Sequence, residues 1–262
     1  MKSIRFERDG SVGTIVLANP PYNRLDVRFA HWLDEAVHEA SESDIRVLVV
    51  RAEGPNFSLG GEVREWPGKD ANWFRTFVSK INSSYRSIEA LRIPTVAVVQ
   101  GGAFGGGFEL ALSCDFIVTA PDTVFRCVEV TTGMLPLAGA LQRLAERVGR
   151  GRASRFAMLG EPILGVQAVE LGIATHVAEP GSLEHVADEL IRRLASGPTL
   201  SYATTRTLLK AWSSGGVAAA DAVMLDVCIG LYDSEDATRG FRNTAAAFEA
   251  DEVPPDLIFF GR

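Results

Sequence analysis

The sequence predicts an α/β fold closed by an all-helical tail, and three observations carry that prediction. Residues 46–51 (RVLVVR) and Thr95–Val99 (TVAVV) are short, apolar and β-branched runs, as strands covered on both faces require. Around them lie stretches whose apolar residues recur at spacings of three and four, the period of a helix buried on one side. After Ser196-Gly197-Pro198 the strand signal stops and helical periodicity alone remains.

Taken in order, residues 4–6 and 14–17 form an opening hairpin about the turn-forming Arg8-Asp9-Gly10-Ser11, ending at Asn19-Pro20-Pro21. Residues 27–40 place Phe29, Leu33, Ala36, Val37 and Ala40 on one helical face. The strand over 46–51 stops at Gly54-Pro55-Asn56 and gives way to a loop over 57–61. Residues 73–91 carry a second stripe, Phe74, Phe77, Val78, Ile81, Tyr85, Ile88 and Leu91. That helix stops before Pro94, because the residue preceding a proline is pushed out of helical backbone angles. Thr95–Val99, a glycine-rich turn over 101–107, a helix over 108–113 and the strand Phe116–Thr119 follow. From about Leu137 the pattern is helical over 141–148, 152–159, 166–171, 183–194, 200–212, 217–231 and 235–250, interrupted by one strand at 174–178. The composition shift divides the chain into a core, residues 1–196, and a helical region, residues 197–262.

A chain of 262 residues, 47% hydrophobic and 23% charged, buries a large core and is not disordered. Its net charge of −7 argues against nucleic acid or an anionic membrane as partner, since such binding needs clustered Lys and Arg to release counterions. Cys114, Cys127 and Cys228 make neither a disulfide framework nor a Cys-x-x-Cys, and no Cys/His cluster suggests zinc, so a cytoplasmic protein is expected. There is no uninterrupted apolar run of about 18 residues, and MKSIRFERDG lacks the apolar centre of a signal peptide, so a soluble, unexported protein is expected. His31, His38, His176 and His185 read as structural or exposed.

Chemistry concentrates in two glycine loops that each follow a buried strand. Gly101 to Gly107 holds five glycines in seven positions before a helix, and Asn56-Phe57-Ser58-Leu59-Gly60-Gly61-Glu62 is the second loop. Glycines allow close backbone approach, so N–H groups from two such loops can converge as an oxyanion hole. A dinucleotide fingerprint fails because Leu110 stands where its third glycine belongs, and there is neither a P-loop nor a G-x-S-x-G elbow. Glu109 and Glu129 are too far apart for one helical face, yet the strand and turn between them can fold the chain back. Both have apolar neighbours that would raise a carboxyl pKa, which suits general acid/base chemistry, although solvated surface glutamates are an equal reading of the spacing alone.

These loops and acids, together with Asn19-Pro20-Pro21-Tyr22-Asn23-Arg24-Leu25-Asp26, Ala111-Leu112-Ser113-Cys114-Asp115, residues 125–136, Gln142-Arg143-Leu144 and Glu170-Leu171-Gly172-Ile173, resemble the crotonase (enoyl-CoA hydratase/isomerase) superfamily over nearly the whole chain. The resemblance implies a crotonase-like spiral of β-β-α units with a C-terminal helical oligomerisation region that builds trimers or dimers of trimers. It also implies acyl-CoA thioester substrates and no metal or redox cofactor, coenzyme A entering as part of the substrate. Carried over by position, the Gly61 and Gly106 N–H groups form the oxyanion hole and Glu109 and Glu129 are the two hydratase acids. Arg24, Leu25, Ser58, Leu59, Gly60, Gly105, Arg126 and Gly133 fall in the stretches expected to contact substrate or coenzyme A. The expected reaction is hydration of a 2-enoyl-CoA, with double-bond isomerisation or thioester hydrolysis as alternatives and a silent acyl-CoA binder as the non-enzymatic rival. Departures from the family pattern are Glu62 in place of Asp, Leu137 in place of Gly, and Arg126-Cys127-Val128 before Glu129. Arg126 is expected either to anchor a substrate carboxylate, to depress the Glu129 pKa, or to pair with a surface acid.

Overall fold

Strand β1 (Ile4–Asp9) reverses at Gly10 and Ser11 and returns antiparallel as β2 (Val12–Leu17), with Ile4 opposite Leu17, in a computed structural model that describes residues 2–261. Helix α1 (Phe29–Ser41), strand β3 (Val47–Ala52), a 3-10 turn (Val63–Glu65), helix α2 (Ala71–Ala90) and strand β4 (Thr95–Val99) follow. Asp70 starts α2 by accepting the Trp73 N–H at 2.7 Å, which satisfies one of the N-terminal donors a helix leaves open. Next come β5 (Gly102–Phe104), α3 (Gly106–Leu112), β6 (Phe116–Thr119), β7 (Val124–Arg126), a second 3-10 turn (Glu129–Thr132), α4 (Ala140–Val148) and α5 (Arg150–Leu159). The chain continues through β8 (Ile163–Leu164), α6 (Gly165–Glu170), β9 (His176–Val177), α7 (Leu183–Ala195), α8 (Thr199–Tyr232) and α9 (Glu235–Glu249).

The main sheet runs β1-β2-β3-β4-β6-β9, parallel from β2 onward, and its middle strands are buried on both sides. Val47, Val49, Val96, Val98 and Val118 pack beneath Ala187, Ile191 and Leu194 of α7. The intervening residues Leu48, Val50, Ala97, Val99 and Ile117 face the larger core with Leu33, Ile81, Ile88 and Leu110. This two-sided burial, about 1.5–3 kcal/mol for each large aliphatic side chain, is why the strands read as unbroken apolar runs.

The stretch expected to be a plain turn over 101–107 contains β5, which pairs parallel with β7, while β8 pairs antiparallel with β7 to complete a second, three-stranded sheet. At three residues, Gly102-Ala103-Phe104, the strand is too short to carry legible alternation, so only the partner strand defines this element. The strand expected at 174–178 shortens to His176 and Val177.

Helix α8 breaks at Gly215 and Gly216, where Gly216 takes φ +71°, so the two helices read from the sequence are joined by a kink. An 18-residue stretch of α8 averages a hydropathy of 1.5, long and apolar enough by composition to cross a membrane although no uninterrupted run exists, and none of it is buried in the single chain. The segment after α9 is tied back to the core. Arg46, just before β3, donates from Nε to Thr199 Oγ1 (2.9 Å), from Nη1 to the Phe259 carbonyl (2.9 Å) and from Nη2 to the Gly197 carbonyl. Buried Asp236 accepts the Phe260 and Gly261 N–H groups, each at 2.7 Å.

Candidate active site

The two glycine loops leave neighbouring strands and are stitched to one another. Ser58 N–H donates to the Gly102 carbonyl at 3.1 Å and the Phe104 N–H returns to the Ser58 carbonyl at 2.9 Å. A side chain at Gly107 would meet that same Ser58 carbonyl at 2.5 Å, so the close approach of the loops requires glycine. Gly105 turns the chain from β5 into α3 with φ +49° and ψ −124°, a conformation that favours glycine, and a Cβ there would lie 2.9 Å from Glu129 Oε1. The loop that begins at Asn56 is braced from behind by buried Asn23, whose Nδ2 donates to the Glu53 and Asn56 carbonyls at 2.9 and 2.8 Å.

This geometry brings Gly61, Gly106, Glu109 and Glu129 to one cavity of about 260 Å³. Among the described residues, neither the Gly61 nor the Gly106 N–H is spent on a hydrogen bond within the protein. Buried Tyr85 donates its hydroxyl to the Gly106 carbonyl at 2.7 Å, which steadies the first turn of α3. Burial, then the nearby Glu109 charge, hold the Tyr85 phenol well above its ordinary range, so it stays a donor.

Glu109 projects from α3, is 3% exposed, and accepts from the Ala138 and Ala140 N–H groups at 2.8 and 3.1 Å. Burial pushes its carboxyl up to about 7 from an ordinary 4.5, the two N–H bonds opposing that rise and the Glu129 charge adding to it. Glu129 opens the second 3-10 turn, and burial raises it too. Its Oε2 is buried and has no hydrogen-bond partner among the described residues. Both carboxyls are thus displaced upward, chiefly by burial, and the Glu129 charge adds to the rise at Glu109.

Trp66, Phe74, Phe77, Val78 and Ile81 form an apolar wall facing these acids. Trp66 meets Phe74 edge-on at 5.4 Å, and Trp73 stacks on Phe77 at 5.5 Å. The stripe read on this helix therefore divides: Ile81, Tyr85 and Ile88 are buried in the core, while Phe74, Phe77 and Val78 are half-buried against the cavity.

Of the other residues expected to bind substrate, Arg24, Leu25, Leu59 and Gly105 line the cavity. The Arg24 guanidinium lies over Tyr22 at 5.3 Å. Ser58 and Gly60 sit behind the lining, Ser58 Oγ donating to the Asn23 carbonyl at 2.7 Å and accepting from Gly60 N–H at 3.3 Å. Gly133 ends the second 3-10 turn in a left-handed conformation, outside the lining. Arg126 corrects the expectations held for it. Its Nε donates to the Gly160 carbonyl at 2.6 Å, outside the cavity lining, and Glu129 is raised by burial instead of depressed by a cation. Gly160 is the C-cap of α5, and basic side chains commonly meet carbonyls at such a helix end. Among the described residues no group of three His, Cys, Asp or Glu could hold a metal ion.

A family model described as Enoyl-CoA hydratase/isomerase matches residues 7–242. The chain is 30% identical over 219 residues to the trans-2-decenoyl-[acyl-carrier-protein] isomerase of Streptococcus mutans, covering 81% of this chain and 82% of that one. It is 27% identical over 248 residues to the short-chain-enoyl-CoA hydratase of Clostridium acetobutylicum, covering 92% and 95%. The fold superposes on enoyl-CoA hydratase subunit I of Geobacillus kaustophilus with a TM-score of 0.88 at 29% identity, over 100% of this chain and 99% of that one. Sequence, fold and family model agree, and the chain belongs to the enoyl-CoA hydratase/isomerase family of the crotonase superfamily.

Proposed function

We propose that the protein is an enoyl-CoA hydratase that adds water syn across the double bond of a 2-enoyl-CoA. The observation that carries this reading is the meeting, in one apolar cavity, of two carboxyls raised by burial and two unspent backbone N–H groups. The thioester oxygen sits between the Gly61 and Gly106 N–H groups, which stabilise the enolate charge, a contribution of about 3–4 kcal/mol per donor. Glu109 and Glu129 hold a water. One, as carboxylate, takes its proton while the hydroxyl adds to the β-carbon; the other, as carboxylic acid, delivers its proton to the α-carbon on the same face. Coenzyme A arrives with the substrate, and Arg24 at the cavity edge suits a phosphate.

Double-bond isomerisation is the second reading, favoured by the similarity to the trans-2-decenoyl-[acyl-carrier-protein] isomerase of Streptococcus mutans. Single-turnover incubation with crotonyl-CoA and with a 3-enoyl-CoA, following enoyl absorbance and free thiol, separates the readings. Hydration removes absorbance from crotonyl-CoA without thiol release, and Glu109→Gln or Glu129→Gln abolishes it. Gain of absorbance from the 3-enoyl thioester alone identifies an isomerase, and free thiol identifies a hydrolase.

We also assign the exposed apolar surface of α8 and α9, including Leu225, Ile229, Phe241 and Phe248, to contact between copies in a trimer or dimer of trimers. Exposed Asp221 and Asp226 within α8 suit a protein neighbour and oppose a bilayer. Light scattering after gel filtration should give three or six chain masses.

A further inference from the structure

The loop that holds Glu109 is itself gripped at two points. Asn82 Nδ2 donates to the Leu137 carbonyl at 2.5 Å. Arg143 Nη1 donates to the Ala138 carbonyl at 3.1 Å, the peptide neighbour of the N–H that Glu109 accepts. Arg143 in turn chelates Glu89 through Nε at 2.6 Å and Nη2 at 2.7 Å, a fork geometry that fixes orientation as well as charge. Asn82 and Glu89 lie seven residues apart on α2, about two turns, and so share a face. Gly139 completes the fit: its φ is +106°, and any side chain there would collide with the Arg143 guanidinium.

Resting on the hydratase reading of Glu109, we propose that Arg143, braced by Glu89, is a positioning residue that aims the Glu109 carboxyl through the backbone of residues 138–140. Arg143 lies outside the cavity lining and acts through Ala138. The charged and titratable groups around Glu109 are Glu129 from the 3-10 turn, Tyr85 from α2, Cys127 after β7 and Arg143 from α4. Of these four, Arg143 favours the ionised carboxyl.

The test follows the carboxylic-acid infrared band of the full-length protein against pH, assigned to Glu109 by its loss in Glu109→Gln, alongside kcat and KM for crotonyl-CoA. Arg143→Met should raise the Glu109 midpoint by about half a pH unit or more. It should lower kcat about ten- to a hundredfold with KM within about twofold, as displaced catalytic groups do. Arg143→Lys should restore the midpoint and only part of kcat, and Glu89→Gln should lower kcat at unchanged KM. An unmoved midpoint and a wild-type pH profile in Arg143→Met, with only thermal stability reduced, overturn the proposal. If Arg143→Met does not fold, wild-type kcat in both Arg143→Lys and Glu89→Gln overturns it. A wild-type protein inert toward enoyl thioesters defeats the hydratase reading alone, because the infrared midpoints still report on positioning.

Discussion

Replacing Glu109 with Gln should stabilise the protein at neutral and alkaline pH while removing the proposed activity. The Glu109 carboxyl is buried and titrates at about 7, against an ordinary 4.5. A carboxyl raised in the folded state binds its proton more tightly there, so its favourable contribution is complete below about 4.5, declines as pH rises, and is gone above about 7. At about 1.4 kcal/mol per pKa unit, ionised Glu109 costs the fold about 3 kcal/mol at alkaline pH relative to acid. Gln keeps an oxygen to accept the Ala138 and Ala140 N–H groups and carries no charge into the apolar cavity. Urea unfolding of both proteins at one protein concentration, from about pH 5 to about pH 8, should show the stability difference growing by about 2–3 kcal/mol in favour of Gln. A difference that stays flat with pH, or shrinks, would refute burial as the origin of the raised carboxyl.

Tyr85→Phe removes the bond to the Gly106 carbonyl and should cost about 1 kcal/mol in denaturant unfolding; steady-state kinetics should show lower kcat at nearly constant KM. Phe77→Ala opens the apolar wall opposite the acids, and loss of about 1–2 kcal/mol of acyl contact should raise KM for longer enoyl thioesters about tenfold while kcat is retained. Asp236→Ala leaves the Phe260 and Gly261 N–H groups without their acceptor and should cost about 2–3 kcal/mol, read as a lower urea midpoint and faster proteolysis after α9.

The strands Thr95–Val99 and Phe116–Thr119 were legible to the residue because each is apolar on both faces and bounded by a proline, glycine or acid. Glu109 and Glu129 could be named as a pair from their apolar neighbours and the family pattern, and the fold brings them to one cavity. The side of that cavity formed by Phe74 and Phe77 was read only as one apolar helical face, because a helical stripe has the same spacing whether it meets packed side chains or an open pocket. The bracing roles of Asn23, Asn82 and Tyr85 were not legible, since their partners are carbonyls of residues distant in the chain and carbonyls have no sequence signature. Arg126 was visible as unusual, but its direction was decided by the Gly160 carbonyl.

The three-way grip of Arg46 has a consequence for how the chain is made. Its partners lie 151, 153 and 213 residues downstream, so the guanidinium beside β3 emerges from the ribosome long before Phe259 does. Contacts of such long sequence separation form late, and a domain that folds as it is synthesised reaches them only after the sheet has assembled. Arg46 thus acts as a clasp on the order of folding: a segment anchored across 151 to 213 residues docks as a late step onto a sheet built from much nearer contacts.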